Sequence, residues 1–123
     1  MIKINDDEKI GEIISKGGKE LVETAEILGR ELKEKGLTTT QIRNIFNEVK
    51  KMQMKGFDWN KLLLLKPKLA YMAARPGAKK GTEIMRDVLT TAIDKVNNDE
   101  KRFENFVNFF EAILAYHRGA GGK

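Results

Sequence analysis

The chain has no cysteine, one histidine, one serine and two prolines among its 123 residues, and each shortage removes a class of function. Without cysteine there is no disulfide framework, no thiolate metal site and no thiol nucleophile. His117 and Ser15 fall on different predicted helices with no nucleophile motif around either, so a Ser-His acyl-transfer arrangement has no support. No carboxylate pair stands at metal-ligand spacing with a histidine. His117 reads as a residue of the last helical turn, favoured there by the helix dipole. The closing GAGGK has no strand before it, no glycine five residues ahead of Gly122 and no Ser or Thr after Lys123, so it is not a phosphate loop. The expectation is a protein that is not an enzyme and carries no metal or cofactor. No apolar run approaches the roughly 20 residues a membrane span needs, and the acidic start MIKINDDEKIGE is no signal peptide. A cytoplasmic location without membrane contact is expected.

What the chain does have is positive charge in one place. Residues 38 to 80 carry ten Lys or Arg against two acidic residues, Glu48 and Asp58. Residues 1 to 37 hold seven basic against nine acidic residues, and residues 81 to 123 hold six against seven. The net charge of +5 is therefore confined to the middle third. Such a cluster is the electrostatic footprint of a polyanion partner, most often nucleic acid, although a solvated basic face gives the same count.

The apolar spacing is helical throughout. Ile10, Ile14, Gly17, Leu21, Ala25, Leu28 and Leu32 form one stripe, interrupted at Gly17-Gly18 by either a break or a close backbone crossing. Gly36 is a C-terminal cap. Thr38-x-x-Gln41 is a capping box for a helix whose core face is Ile42, Ile45, Phe46, Val49 and Met52. On one flank of that face Arg43, Asn47, Lys50 and Lys51 come together, with Glu48 directed elsewhere. Asp58 caps a short helix through Leu62 to Leu65, and Pro67 suits the first position of the next, which Pro76-Gly77 stops. There Lys68, Tyr71, Met72 and Arg75 share a face, setting an aromatic ring between two cations in the pattern that tracks a nucleic-acid backbone. A tyrosine at the core edge is the competing reading.

Thr82 is the expected cap of a helix with Met85, Val88, Leu89, Ala92, Ile93 and Val96 inward, and Asn97-Asn98-Asp99 separates it from the last. In that last helix Phe103, Phe106, Val107, Phe110, Ile113 and Leu114 form the core face, and Phe109, Ala112 and Tyr116 widen it. An apolar arc that wide is either central or covered by a second copy, so self-association through Phe109 and Tyr116 is expected. No segment alternates with period two. The prediction is an all-α compact bundle of about five helices, one helical domain over 1–123 with 118–123 as a flexible tail.

The strings TQIRNIFNEVKKM, LLLLKPKLAYMAARPG and RFENFVNFFEAILAYHR, in this order, closely resemble the small subunit of the type III-A CRISPR–Cas effector, the Csm complex. The resemblance covers residues 38 to 118. It implies a non-catalytic RNA-binding subunit present in several copies, stacked along guide RNA and target RNA beside other Csm subunits and copies of itself. The family's binding surface then maps onto Arg43, Lys50, Lys51, Lys66, Lys68 and Arg75, with Arg118 near the end of the last helix. Tyr71 joins this RNA-binding set through its place between Lys68 and Arg75. Two other readings stay open: a helix-turn-helix DNA binder beginning at Leu37-Thr38, and an oligomeric helical scaffold whose basic face is only solvated.

Overall fold

Apolar residues recurring every three or four positions produce seven helical segments, and no strand forms among the described residues. A computed structural model describes residues 7–122; the start of the acidic N-terminus and Lys123 of the GAGGK tail lie outside them. The segments are α1 (Asp7–Lys16), α2 (Gly18–Glu34), α3 (Thr39–Lys55), α4 (Trp59–Leu63), α5 (Leu65–Ala74), α6 (Lys80–Val96) and α7 (Glu100–Gly119). Two interruptions account for the count exceeding five.

The first is at Gly17, whose φ of 65° and ψ of −135° lie where an L side chain is strained. Its N–H closes α1 on the carbonyl of Ile13, and the side-chain amide of Asn105 donates to the carbonyl of Ile14 at 2.8 Å. The paired glycines are therefore a break between helices. Lys9 bonds Glu20 across this break, and that hydrogen bond holds the ammonium pKa above its ordinary value. The second interruption is at Leu64. Pro67 offers no N–H to the carbonyl of Leu63 and its ring crowds that oxygen, so the helix kinks at Leu64, which keeps helical dihedrals of −67° and −13°. Pro67 is thus the third residue of α5 and not its first, a position in the first turn where an amide needs no intrahelical partner.

Capping follows the sequence with one exception. Gln41 N–H donates to Thr38 Oγ1 at 3.2 Å and Thr38 N–H to Gln41 Oε1 at 3.0 Å, closing the capping box. Asp58 accepts from Lys61 N–H at the head of α4, and Asp99 accepts from Arg102 N–H at the head of α7. Thr82 is the exception. Lys79 occupies the N-cap of α6 without a side-chain bond, and Thr82 lies one turn in, buried. Helix α6 starts early because Gly81 packs on the α2–α3 connection, its N–H donating to Lys35 O at 3.0 Å.

Helix α7 is the centre of the molecule, packed by α1, α2, α3 and α6. Phe103, Phe106, Phe109 and Phe110 are all at most 2% exposed, each worth roughly 1.5–3 kcal/mol of burial. Phe110 meets Phe46 of α3 edge-on at 5.2 Å between centroids, and Phe57 meets Phe103 at 4.9 Å. The wide apolar arc is therefore satisfied inside one chain. Phe109 is fully buried and Tyr116 half-buried, so the self-association surface expected there is already covered by the protein's own helices.

His117 is likewise fully buried. Its Nε2–H donates to the carbonyl of Leu37 at 2.6 Å, tying the end of α7 to the α2–α3 connection in place of a solvent-facing role at the helix dipole. Residues after Arg118 complete the helix end, Gly121 N–H donating to Arg118 O and Gly122 N–H to His117 O, both at 3.0 Å. This pair of bonds is the Schellman arrangement. Helix α5 lies outermost, held to the body through α6 by buried Leu65 and Leu69.

Candidate nucleic-acid interface

Helices α3 and α5 run in opposite senses beside each other, as two clefts between them show. The larger, about 240 Å³, has Glu48, Lys51, Met52 and Lys55 of α3 on one wall and Lys61, Leu64 and Lys68 of α4–α5 on the other. The smaller, about 190 Å³, joins Gln41 at the head of α3 to Met72, Arg75 and Pro76 at the end of α5. The connection from Gly56, with a φ of 100°, to the Asp58 cap determines this arrangement. The chain reverses there, and Asp58 starts α4 so that Lys61 stands beside the last turn of α3 and α5 continues back along it.

The charges in and around the large cleft are mostly unopposed. Lys51, Lys55 and Lys61 are exposed and have no ion-pair partner among the described residues, as do Arg43 and Arg75. Lys68 meets Glu48 across the cleft at 3.7 Å. Outside the basic stretch five cations are paired, Lys95 with Asp7, Lys9 with Glu20, Lys19 with Glu23, Arg30 with Glu26 and Arg86 with Asp87. Lys16, Lys33, Lys35, Lys101, Arg102 and Arg118 are in no ion pair among the described residues. What distinguishes the basic stretch is that four of its lysines, Lys51, Lys55, Lys61 and Lys68, line a single cleft.

The residues singled out from sequence divide into groups. Lys51 and Lys68 face each other in the large cleft, and Arg75 lines the small one. Arg43 is exposed on α3. Tyr71 is 74% exposed, so it is no core-edge residue. Lys50 turns to the other flank of α3, its ammonium bonded to Gln53 Oε1 at 2.8 Å and 5.9 Å above the Phe46 ring. Lys66 points away from the clefts to Asp94 of α6 at 2.7 Å. Arg118 is exposed at the end of α7, beside the α2–α3 connection and outside both clefts. Glu48, expected to face elsewhere, is in the cleft because α5 approaches from its side.

Lys55 and Lys61 are the cleft residues that choosing a basic flank of α3 left out. The signal was present, since Lys55 follows Lys51 by one turn and Lys61 belongs to the helix that Asp58 caps. Exposed Leu64 and half-buried Met52 stand among these lysines, so the cleft offers apolar as well as cationic contact.

Among the described residues no group of His, Asp and Glu is placed to hold a metal ion, and no helix is long and apolar enough to cross a membrane. Three lysines with no carboxylate of their own, lining one cleft, are suited to hold a chain of phosphates. The sequence profile of the family described as Csm2 Type III-A matches residues 15–123. No curated protein and no solved structure gives a match. The profile spans most of the chain, including all of α2 to α7, and the chain belongs to the Csm2 Type III-A family, the non-catalytic small subunit of the Csm complex.

Proposed function

We propose that this subunit holds the sugar-phosphate backbone of guide and target RNA in the Csm complex through the α3–α4–α5 face. Lys51, Lys55, Lys61 and Lys68 engage phosphates in the large cleft, Arg43 and Arg75 extend the track along α3 and α5, and Tyr71 stacks on a base or sugar at its edge. Several copies stack along the RNA, with other Csm subunits and further copies at their flanks. Lys50, Lys66 and Arg118 lie off this track and contribute at most to the general field.

The observation that carries the reading is the convergence of three exposed lysines without an ion pair, Lys51, Lys55 and Lys61, on one cleft together with Lys68. A solvated face gains nothing from such convergence. The same observation argues for binding without base preference, because lysine contacts to phosphate carry no sequence information. Nor does a helix-turn-helix fit: α3 has 17 residues, α4 has only five and is separated from α5 at Leu64, leaving no uninterrupted recognition helix directly after α3.

The test is a salt titration of single-stranded RNA binding by the full chain and by the assembled complex. Reversing Lys51, Lys55 and Lys61 to Glu should weaken all RNA sequences alike and flatten the dependence of log K on log salt by about 2, at roughly 0.7 for each lost phosphate. Reversing Lys16, Lys19 and Lys101, which lie on other surfaces, should do much less. Equal effects of the two sets would reduce the cleft to a solvated face.

A further inference from the structure

Only two carboxylates occur in the basic stretch, and the structure gives them different tasks. Asp58 is occupied as a helix cap, accepting the Lys61 N–H at 3.2 Å. Glu48 caps nothing. It is the only acidic residue of α3, and it stands on the wall of the cleft that holds Lys51, Lys55, Lys61 and Lys68.

Its partner is Lys68, across the cleft at 3.7 Å. That separation is long beside the roughly 2.7–2.9 Å of a charge-assisted hydrogen bond. The lysine side chain is 56% exposed and the glutamate 38%, so water screens the pair and it is worth little to the fold. A phosphate oxygen entering the cleft can offer Lys68 a shorter contact. To do so it must come close to the Glu48 carboxylate, which repels it and must be left without its lysine. The pair is thus weak enough to break and placed where RNA binding must break it.

We propose that Glu48 is a phosphate competitor built into the cleft: it holds Lys68 in the RNA-free subunit, is displaced by the backbone, and keeps the isolated subunit's grip on RNA below what its lysines alone would give. The proposal rests on the reading of the cleft as the RNA-backbone site. It makes Glu48 a determinant of affinity and salt response, in a direction opposite to that of every other charged residue lining the cleft.

The experiment compares wild type, Glu48→Gln and Glu23→Gln in binding a single-stranded RNA oligonucleotide of mixed sequence, from low to physiological salt. Glu23 serves as control because its substitution removes the same net charge from α2, where it pairs with Lys19 outside the cleft. Glu48→Gln should bind about two- to fivefold more tightly, the range of one exposed ion pair. Its salt slope should steepen by about 0.7, the value of one further phosphate contact, and Glu23→Gln should shift neither. Equal gains from the two variants would make the effect one of net charge and overturn the proposal. Weaker binding by Glu48→Gln would mean that Glu48 orders Lys68 for phosphate, which also overturns it. If the Lys51, Lys55 and Lys61 reversals leave binding unchanged, or wild type binds no RNA at low salt, the underlying site assignment fails instead.

Discussion

Gly29 gives the most demanding test of how this bundle is held together. It sits in the middle of α2, a helix interior where glycine costs roughly 1 kcal/mol relative to alanine, so an alanine there should ordinarily stabilise. The structure reverses that sign. A Cβ on Gly29 would stand 2.6 Å from the backbone nitrogen of His117, 2.7 Å from Tyr116 Cβ and 2.9 Å from the Tyr116 carbonyl carbon. The first distance is about 0.8 Å short of the 3.4 Å at which ordinary contact begins. The obstacle is mostly the α7 backbone, which cannot swing aside as a side chain would, and α7 is the helix on which the rest packs. Overpacking of this kind costs about 1–3 kcal/mol, and a backbone-to-backbone clash belongs at the upper end. Subtracting the propensity gain leaves Gly29→Ala destabilised by about 2 kcal/mol, a fall in Tm of roughly 6–12 °C for a domain of this size. Gly11→Ala is the matched control. Gly11 is also helical, but its Cβ would meet only the flexible Lys95 side chain, at 3.5 Å, and the substitution should raise stability by about 0.5–1 kcal/mol. Thermal melts followed by circular dichroism read both. A Gly29→Ala variant as stable as Gly11→Ala would show that α2 and α7 do not approach so closely at this point.

Two further outcomes bear on the site and on the central helix. Tyr71→Ala removes a side chain that is 74% exposed, so its stability should stay within about 0.5 kcal/mol of wild type while RNA binding weakens by about 1–3 kcal/mol if the ring stacks; a large loss of stability with unchanged binding would return it to the core. Phe109→Ala should cost about 3–5 kcal/mol because the ring is fully buried within one chain, and denaturant melts should show this cost independent of protein concentration; a concentration-dependent loss would mean that a second copy covers the ring after all.

The sequence by itself determined the helices and most of their ends. An apolar residue every three or four positions admits one solution, and Thr38, Asp58, Asp99 and Gly36 state where helices start and stop because capping is a contact between near neighbours in the chain. The placement of positive charge was equally legible, since a net charge over a segment does not depend on how the segment folds. Contacts between distant residues were a different matter. Whether the apolar arc of α7 was central or an interface depended on how many helices pack around it, which spacing within one helix does not record. That Gly17 is a break while Gly29 is the crossing depended on what lies opposite each: the Asn105 side chain in one case, the His117 backbone in the other. The cleft was decided by the reversal of the chain between Lys55 and Trp59, which brings α4 and α5 back along α3. Only that return places Lys61 and Lys68 across from Lys51 and Lys55, sends Lys66 to Asp94, and sets Glu48 among the lysines. A helical wheel fixes the angle at which a side chain leaves its own helix, and the tertiary structure decides what it meets.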